Sequence, residues 1–384
     1  MQSRPEIAII GAGIGGLALA GLLARQGAKV TVYEQATAFE RLGAGIQMSP
    51  NAVHVLRALG LEPLLRQMAF QPPAWTHRVW DTGEHLADLA FGAEAEQRYG
   101  APYLLLHRGD LHAAILSAVP TSVIRFNKKL LDIIPSASAV ELIFADGSRA
   151  RADGVVGADG VHSRVREILL GPERPLFTGR VAHRTVFPAA LLGDFAVDTC
   201  TKWWGPDRHI VVYPVNPRRD EIYFVTSVPD PQWDVESWSQ RGEMAEVIAA
   251  LAGFHQDVQR LLAACPQVHK WALFERDPLP RWSAGAIVLL GDACHPMTPY
   301  MAQGAANALE DAAVLSRCLA AAEPAIAFRR YEATRLERTA RIQLTSRQNT
   351  WGKQAGDPSW VYGYNAWTTP IAEAQPALGL SGAS

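Results

Sequence analysis

A glycine-rich turn near the start of the chain constrains the fold more than any other stretch: IAIIGAGIGGLALA, residues 7–20. The apolar run before it predicts a strand over Glu6–Ile10, and the apolar spacing after it predicts a helix that ends at about Arg25. The next apolar run, KVTVY, predicts a second strand over Lys29–Tyr33. Because strand, helix and strand follow one another this closely, the segment predicts a β-α-β unit whose two strands lie parallel in one sheet.

The glycines of this turn have the GxGxxG spacing of a dinucleotide site. Gly11 permits the tight turn, Gly13 lets the backbone approach a pyrophosphate, and Gly16 allows the helix to pack closely on the strand. Glu34 ends the second strand, where a carboxylate can accept hydrogen bonds from the two ribose hydroxyls of an adenosine. We therefore expect a dinucleotide, NAD or FAD, held by Gly11, Gly13, Gly15, Gly16, Glu34 and Gln35.

A second Gly-Asp turn, in VLLGDA at 288–293, favours FAD over NAD. A nicotinamide dinucleotide normally completes its site with the second half of a doubly wound sheet, whereas the ribityl chain and isoalloxazine of FAD need further walls. A buried strand at Ile287–Leu290 would deliver Asp292 to its carboxyl end, where Asp292 can bind a ribityl hydroxyl or a water on the pyrophosphate. The next helix opens at Gly304 and Ala305, so its positive end can stabilise the anion of a reduced flavin.

The rest of the chain predicts a mixed fold. An Asp146-Gly147 turn predicts a hairpin between two extended runs within residues 142–160, the second of which ends at Asp159-Gly160. Strands rich in Trp, Tyr, Val and Ile between about 181 and 229 predict an antiparallel sheet. Helices are predicted at 244–265 and from Met301 to about Gln348, and the tail after Pro370 is expected to be weakly ordered.

Length and composition indicate an ordinary soluble protein. The 384 residues suit two domains, or one domain with a large insertion, and can bury a large cofactor. With 48% hydrophobic and 19% charged residues and a formal charge of -2, the chain has no basic excess to offer nucleic acid or a membrane surface. Glycines interrupt the first apolar run, so we expect neither a signal peptide nor a membrane span. The cysteines lie far apart, which fits a reducing cytoplasm: Cys200, Cys265, Cys294 and Cys318.

Two features that can suggest other ligands have simpler interpretations. His295 has no second histidine or carboxylate at ligand spacing, so we expect no metal site. The stretch FRRYEATRLERTARI at 328–342 carries glutamates among its arginines at helical spacing, which predicts a solvated helix face and not a phosphate or nucleic-acid site. The predicted face carries Arg329, Arg330, Arg335, Arg338 and Arg341.

A short strand, HIVVYP at 209–214, carries candidate proton-transfer groups. A period of two puts His209, Val211 and Tyr213 on one face, with the two polar residues about 13 Å apart at Cα. A single aromatic ring fits between their side chains. Histidine can accept a phenolic proton near neutral pH, and tyrosine can relay that proton or hold the resulting oxyanion. The alternative is that both residues only decorate the surface of a sheet.

Three motifs together resemble a known family: GAGIGG, DGVVGADGVHSRVR and GDACHPMTPYMAQGAANALEDA. They are similar to the signatures of the single-component FAD-dependent aromatic hydroxylases of the para-hydroxybenzoate hydroxylase type. The resemblance implies an α/β fold in which a Rossmann-like FAD-binding βαβ domain holds an inserted antiparallel β-sheet substrate domain and is followed by C-terminal helices. We expect a discontinuous FAD-binding domain at 1–72, 101–179 and 275–330, a substrate-binding domain at 73–100 and 180–274, and a C-terminal helix and tail at 331–384.

The resemblance also implies further cofactor contacts. Asp159 lies in the middle motif, which resembles the dual FAD and NAD(P)H motif of the family. Arg108, in HRGDLH, matches an arginine that approaches the flavin in such enzymes. Leu130, Asp292, Gly304, Ala305 and Gln47 complete the expected FAD contacts.

Within that family the chain most resembles 6-hydroxynicotinate 3-monooxygenases. The matching stretches are RLGAGI at 41–46, HRGDLHA at 107–113, KWW and DRH within 202–209, YFVT at 223–226 and DPSWVYGY at 357–364. The last is the most discriminating, because a Trp-Val-Tyr-Gly-Tyr tail is not a general flavoprotein feature. Gln47 and Tyr300 stand where the resemblance leads us to expect histidines.

That resemblance implies a substrate site. The expected catalytic residues are His209, Tyr213, Tyr300 and Gln47, and the expected substrate contacts are Cys200, Pro296 and Met301. Cys200 is expected to line the pocket and not to act as a nucleophile.

The reaction that the resemblance implies uses NADH or NADPH, which binds transiently and reduces the FAD. Molecular oxygen then forms a C4a-hydroperoxyflavin, whose distal oxygen passes to an electron-rich carbon of a hydroxylated pyridine or benzene carboxylate. If that carbon bears the carboxylate, carbon dioxide leaves, as in the conversion of 6-hydroxynicotinate to 2,5-dihydroxypyridine.

Other functions stay open at this point. Gln47 and Tyr300 favour a salicylate- or hydroxybenzoate-type hydroxylase as the enzymatic alternative. A flavin-binding redox sensor without turnover is the non-enzymatic one, and a nicotinamide dehydrogenase without flavin is a third. The sequence sets neither the choice between NADH and NADPH nor the oligomeric state.

Overall fold

The computed structural model describes residues 4–41, 44–136, 139–233, 240–353 and 356–373. In chain order its strands are β1 (Glu6–Ile10), β2 (Lys29–Tyr33), β3 (Gly45–Met48), β4 (Ala74–Val79), β5 (His85–Ala90), β6 (Leu104–His107), β7 (Ile124–Arg125), β8 (Leu130–Pro135), β9 (Val140–Phe144), β10 (Arg149–Ala152), β11 (Gly154–Gly157), β12 (Leu176–Pro188), β13 (Cys200–Trp204), β14 (His209–Pro214), β15 (Glu221–Pro229), β16 (Arg241–Gly242), β17 (Val268–Glu275), β18 (Ser283–Ala284) and β19 (Ile287–Leu289).

The helices are α1 (Ile14–Arg25), α2 (Pro50–Ala58), α3 (Glu62–Met68), α4 (Gly92–Tyr99), α5 (Arg108–Ser117), α6 (Arg164–Leu170), α7 (Met244–Ala250), α8 (Gln256–Ala264), α9 (Gly304–Ala321), α10 (Pro324–Arg347) and α11 (Ser359–Tyr362). The described part of the chain contains no helix with the length and apolar character needed to cross a membrane.

One sheet is built around the predicted β-α-β unit, which is confirmed. Its strand order is β18-β19-β11-β1-β2-β7, and β1 lies parallel to β2 and to β11. Ile10 pairs with Gly157, which pairs in turn with Leu289 of β19. Because these strands are parallel, the segments that follow β1, β11 and β19 leave the sheet at the same edge. This edge therefore gathers the three motifs that lie far apart in the sequence.

A second sheet has the order β16-β17-β12-β15-β14-β13-β4-β5. Its central strands pair antiparallel, as the residues between 181 and 229 predict. The exception is β13, which runs parallel to β4 and pairs Cys200 with Trp75. This sheet therefore combines chain from 74–90 with chain from 176–275.

The two faces of the second sheet pack against different elements. Ile210 and Val212 belong to an apolar cluster with residues of α7 and α8. Val211 and Tyr213 belong to another cluster, which includes Met301 from the loop before α9. The period-two prediction for HIVVYP is thus confirmed, and both faces of this strand are buried.

The extended run predicted to end at Asp159-Gly160 is in fact two strands. Residues 149–152 form β10, which makes the expected hairpin with β9 around Asp146-Gly147 in a separate small sheet. Asp153 then accepts a hydrogen bond from the Glu6 backbone through its carboxylate, and its own backbone N–H bonds to Glu6. These two bonds turn the chain into β11 and the parallel sheet.

The helix predicted at 244–265 is interrupted, and the helical stretches predicted from Met301 to about Gln348 are two helices. The segment 244–265 divides into α7 and α8, because Gly253 adopts a φ of +80° and the His255 side chain caps α8 by accepting from the Asp257 backbone. The segment after Met301 divides into α9 and α10 at Pro324, which starts a new helix because it has no backbone N–H to continue the old one.

The prediction of a solvated arginine face on α10 is wrong for Arg335. This side chain is completely buried and forms ion pairs with Glu310 and Asp311 of α9. Arg338 is mostly buried on Glu310, whereas Arg341 is exposed. The charged face of α10 turns inward because α9 carries two acidic side chains opposite it.

The proposed division into domains stays a prediction. Of the tail expected to be weakly ordered, residues 374–384 lie outside the described residues, as do Leu42 and Gly43 of the RLGAGI stretch.

Candidate active site

The glycine turn after β1 leaves space on its outer side. Gly11 adopts a φ of +103°, and a Cβ there would collide with the carbonyl of Ala158. A Cβ at Gly16 would collide with the Gly11 carbonyl, so α1 sits directly on the turn. Gly13 differs, because it is exposed and a Cβ there would meet no atom within 4 Å. The backbone at Gly13 is thus open to a ligand at the positive end of α1.

Gly15 joins the first glycine motif to the Gly-Asp motif. A Cβ on Gly15 would lie 2.6 Å from the Leu290 side chain and 3.1 Å from the Cβ of Ala308 on α9. Gly291, directly after Leu290, adopts a φ of +65°. Helix α1 therefore packs against α9 only because Gly15 has no side chain. This contact brings the two motifs to one site.

Glu34 stands at the carboxyl end of β2, beside the turn. Its two carboxylate oxygens accept hydrogen bonds from the backbone N–H groups of Ala12 and Ala36, at 2.9 and 2.8 Å. A carboxylate has about four acceptor positions, so Glu34 can also accept from ribose hydroxyls. Gln35 is exposed next to it.

Asp292 and Arg108 line a recess at the same edge. Both side chains are open to solvent, yet enough protein surrounds each one to shift its pKa. Burial raises the pKa of Asp292 and lowers the pKa of Arg108, and each opposes the other's shift by its charge. A Cβ on Gly304, the first residue of α9, would lie 4.0 Å from the Asp292 carboxylate. The recess thus holds an acid, a guanidinium and a positive helix end.

The middle motif reinforces this edge. Asp159 accepts from the Ser163 hydroxyl at 2.5 Å and from the Val165 backbone at 3.1 Å, so it caps α6. Burial raises the pKa of Asp159, and these hydrogen bonds oppose the shift. Arg166 donates to the carbonyl of Ala293 at 2.9 Å and ties the motif to the Gly-Asp turn.

The donor set of this edge suits FAD. The open backbone at Gly13 can receive a pyrophosphate, and Glu34 can receive the adenosine ribose. Asp292 can accept from a ribityl hydroxyl, while Arg108 and the start of α9 supply positive charge for an electron-rich ring. Ala305 is half-buried beside that helix end, and Leu130 is buried in the main core at the start of β8.

The face of the second sheet that carries His209 forms an ordered array. Residues paired across neighbouring strands share a face, so the pairs define three rows. One row holds Trp204, His209 and Ser227. The middle row holds His77, Lys202, Val211, Val225 and Arg184. The last row holds Cys200, Tyr213, Tyr223 and Val186.

His209 is fully enclosed at one end of this array. Its ring lies 5.5 Å from that of Tyr300 and 5.4 Å from that of Trp204, between centroids. Burial lowers the pKa of His209 well below its ordinary value, and the charge of Lys202 lowers it further. The imidazole is therefore neutral at pH 7 and can accept a hydrogen bond from a hydroxylated ring.

Tyr213 and Gln47 meet at the other end. The hydroxyl of Tyr103 donates to the Gln47 amide oxygen at 2.6 Å. Burial raises the pKa of Tyr213 well above its ordinary value, and a hydrogen bond with Gln47 opposes the shift. Gly45 makes this approach possible, because a Cβ there would lie 2.8 Å from the Tyr213 hydroxyl and 2.6 Å from the Tyr223 ring. Tyr213 is therefore protonated and can donate a hydrogen bond at pH 7.

Of the remaining expected contacts, Met301 and Pro296 lie in the loop before α9, whereas Cys200 belongs to the array itself. Met301 is fully buried in the cluster that contains Cys200 and Tyr213. Pro296 is buried, and its carbonyl accepts from Gln343 at 2.9 Å. Burial raises the pKa of the Cys200 thiol well above its ordinary value, which agrees with a wall residue and not a nucleophile.

A buried ionic network lies behind the Gly-Asp turn. Asp311 accepts from the Gly291 backbone at 3.1 Å and from Arg335 at 2.7 Å, and His295 lies 2.5 Å from it. Cys294, His295 and Asp311 have their ligand atoms within 4.8 Å of one another, a grouping that sequence spacing did not reveal. Because Asp311 already serves three partners, the arrangement holds the turn in place.

Sequence reasoning missed three residues of the array: Lys202, Arg184 and Tyr223. All three are buried on the face that carries His209. The period-two argument used for HIVVYP applies equally to CTKWW and EIYFVTSV and would have found Lys202 and Tyr223.

Comparison with known proteins agrees with this geometry. Residues 4–344 match the family described as FAD binding domain. A protein of Bordetella bronchiseptica named 6-hydroxynicotinate 3-monooxygenase is 50% identical over 382 residues, which cover 98% of this chain and 100% of that protein. A Pseudomonas fluorescens protein of the same name is 47% identical over 378 residues, covering 97% and 98%.

Solved structures agree as well. The chain superimposes on HpxO of Klebsiella pneumoniae, crystallised with FAD and uric acid, with a TM-score of 0.81 and 28% identity over 92% of this chain and 90% of that one. The expected fold class is thereby confirmed. A family match over most of the chain, with relatives of this identity over nearly its whole length, shows that the chain belongs to the FAD-dependent aromatic monooxygenases.

Proposed function

We propose that the chain converts 6-hydroxynicotinate to 2,5-dihydroxypyridine and carbon dioxide. Two relatives that align with nearly the whole chain carry the name of this activity. The observation that carries the proposal is the pair formed by His209 and Tyr213, two buried polar side chains on one face of β14. An aromatic ring with a hydroxyl and a carboxylate in para positions suits the space between them.

The overall reaction balances with one reduced nicotinamide and one oxygen molecule. 6-Hydroxynicotinate, NAD(P)H, two protons and O₂ give 2,5-dihydroxypyridine, CO₂, water and NAD(P)⁺. When bound, FAD supplies the transfer of two electrons from the nicotinamide and the activation of oxygen. Glu34, Arg108, Asp292 and the start of α9 would hold it.

The protein's own task is to make the ring electron-rich. His209 is neutral and accepts a hydrogen bond from the ring hydroxyl, or its proton as the oxyanion forms. Tyr213 stays protonated and donates a hydrogen bond to an oxygen of the substrate. Loss of the hydroxyl proton increases electron density at the para carbon, which in 6-hydroxynicotinate carries the carboxylate. Hydroxylation at that carbon then releases carbon dioxide.

Gln47 and Tyr300 support a second candidate, a salicylate- or hydroxybenzoate-type hydroxylase. An amide and a phenol can hold a carboxylate or a ring nitrogen, but neither accepts a proton near pH 7 as imidazole does. Proton removal therefore depends on His209, whichever ring is bound.

A substrate panel tests the proposal. The purified holoenzyme is mixed with NADH and 6-hydroxynicotinate, 4-hydroxybenzoate or salicylate, and NADH oxidation, oxygen uptake and carbon dioxide release are measured together. We expect one carbon dioxide for each oxygen consumed with 6-hydroxynicotinate. Hydroxylated product without carbon dioxide from every active compound would exclude the decarboxylative reaction.

A further inference from the structure

Lys202 is a buried amine without a counter-ion in the described part of the chain, and burial lowers its pKa well below the ordinary value of a lysine. It lies in the middle of β13 with 1% of its surface exposed. Arg335, which is buried to the same degree, forms ion pairs with Glu310 and Asp311. An isolated buried charge is unfavourable, so such residues are normally paired.

The surroundings of Lys202 are positive or neutral. Its ammonium lies 3.7 Å from the centre of the Trp204 ring, and Lys353 approaches the same ring at 5.7 Å. Its strand neighbour Cys200 is a neutral thiol, and burial lowers the pKa of His77, its partner on β4, to about 3. Among the residues that the structure describes, the surroundings of Lys202 thus include an aromatic ring and no acidic side chain in an ion pair with it.

The position of Lys202 relates it to the candidate substrate site. It pairs directly with Val211, which lies between His209 and Tyr213 on the same face. Val211 and Val225 form a small apolar floor at the centre of the array, and Lys202 stands at one side of that floor. A ring placed over the floor has Lys202 on the Val211 side and Arg184 on the Val225 side. Arg184 stacks on the Trp271 ring at 4.4 Å, whereas Lys202 contacts Trp204.

We infer that Lys202 is the counter-ion of the substrate's carboxylate, and that it selects aromatic carboxylates over neutral rings. The inference rests on the proposed function and adds the residue that recognises the acid group. Binding of the carboxylate would give the ammonium the partner that the protein does not provide, so the ligand-free state is destabilised relative to the complex.

A charge-removing variant tests this inference through binding. Lys202→Met keeps the length and apolar stem of the side chain. The dissociation constant for the oxidised holoenzyme is measured by the change in flavin absorbance, with 6-hydroxynicotinate and with its neutral amide, 6-hydroxynicotinamide. We expect Lys202→Met to weaken carboxylate binding by about 10- to 100-fold and to change amide binding by less than about threefold. Equal weakening of both compounds would overturn the inference.

Two matched variants complete the experiment. Lys353→Met removes an exposed cation that also approaches Trp204 and is expected to change neither constant. Lys202→Arg keeps the charge and is expected to keep the preference for the carboxylate over the amide. Loss of that preference in the arginine variant would count against the charge as its origin.

Thermal melting separates recognition from a structural role. If Lys202 serves the ligand, ligand-free Lys202→Met should melt at or above the wild-type temperature, because a buried amine without an acidic partner is replaced by an apolar side chain. If Lys202 only stabilises Trp204, the variant should melt lower, and the inference fails. A wild-type protein that binds none of the carboxylates would refute the proposed function instead. If salicylate binds in place of 6-hydroxynicotinate, salicylate and salicylamide form the corresponding pair.

Discussion

The hydroxyl of Tyr300 lies 3.0 Å from the hydroxyl of Ser227, so a side chain of the loop before α9 is hydrogen-bonded to β15 of the second sheet. Ser227 also accepts from the Nε of Arg180 at 2.9 Å. The bond between Tyr300 and Ser227 connects the face of the second sheet that carries His209 with the recess that holds Asp292. The connection arises because the loop that carries Tyr300 continues directly into α9, which begins beside Asp292.

Tyr300→Phe should loosen that connection without releasing FAD. The loss of one buried hydrogen bond predicts a decrease of about 1 kcal/mol in the free energy of unfolding. We also expect a larger fraction of NADH to be oxidised without hydroxylated product, because the aromatic ring of the substrate is held less firmly over Val211. Stopped-flow and product analysis check this, with Ser227→Ala as the matched variant. Unchanged coupling in both would show that the bond is irrelevant to catalysis.

The double variant Gln47→His with Tyr300→His tests whether these two positions set substrate choice. Histidines at both ends of the array add groups that accept protons near pH 7. We expect kcat/KM for 6-hydroxynicotinate to rise relative to that for 4-hydroxybenzoate or salicylate. An unchanged ratio would mean that other residues, such as Arg184, decide specificity.

Asp292→Ala should lose FAD, whereas His209→Ala should keep it. Asp292 faces the recess beside α9, so its loss should release FAD, measured as free flavin after gel filtration. His209 lies on β14 of the second sheet, away from the recess, so its variant should stay yellow and oxidise NADH with little hydroxylation. Glu34→Ala provides a third comparison, with weakened FAD binding and an intact fold. Equal loss of FAD from the Asp292 and His209 variants would indicate that His209 is structural.

Gly352→Ala should disturb the segment that covers His77. Gly352 has a φ of +78°, and a Cβ there would collide with the His77 ring. Gly285→Ala is the control, because its φ is +57° but a Cβ would meet nothing within 4 Å. The backbone conformation alone costs about 1–2 kcal/mol at either position. We expect urea unfolding to show a clearly larger decrease in the free energy of unfolding for Gly352→Ala than for Gly285→Ala. Similar decreases would show that the His77 ring does not crowd a side chain at position 352.

Arg335→Met should destabilise the protein in a pH-dependent way. Burial would raise the pKa of Asp311, but His295 and Arg335 lower it below its ordinary value. A lowered pKa means that ionised Asp311 stabilises the folded protein. In the wild type this contribution to the free energy of unfolding is fully present above the ordinary aspartate pKa and is lost as the pH falls through the lowered value. Without Arg335, the carboxylates of Glu310 and Asp311 stay buried with less positive charge beside them. We therefore expect the free energy of unfolding to fall by about 3–5 kcal/mol at pH 7.

The same variant should recover stability in acid. When Arg335 is absent, only His295 opposes the effect of burial, so the pKa of Asp311 is higher than in the wild type. The stability deficit of the variant therefore shrinks as the pH falls through that higher pKa. Urea unfolding at pH 5 and pH 8 should therefore show a smaller deficit at pH 5. Arg341→Met, on the exposed side of the same helix, is the control and should show little change at either pH. An equal deficit at both values would argue against the electrostatic origin.

Local pattern predicted the first β-α-β unit well. The apolar runs and glycines near Gly11 give the bounds of β1, α1 and β2 because each element is specified by its own residues. The same holds for the face shared by His209 and Tyr213, which follows from the period of a strand alone.

Other features depend on partners distant in sequence and could not be predicted. The inward turn of Arg335 requires Glu310 and Asp311, which belong to a different helix. The contact between Gly15 and Ala308 becomes visible only once α1 and α9 are packed. The split at Asp153 depends on hydrogen bonds to Glu6 at the start of the chain. In each case a tertiary contact overrides the local signal.

The parallel pairing of β13 with β4 has a consequence for protein engineering. The seam between these strands joins Cys200 to Trp75 and Lys202 to His77, directly beside the candidate pocket. A chimera that exchanges only residues 176–275 with those of a relative would put foreign side chains on one side of this seam and leave native ones on the other. To transfer the substrate specificity of a relative, residues 74–90 must therefore be exchanged together with residues 176–275.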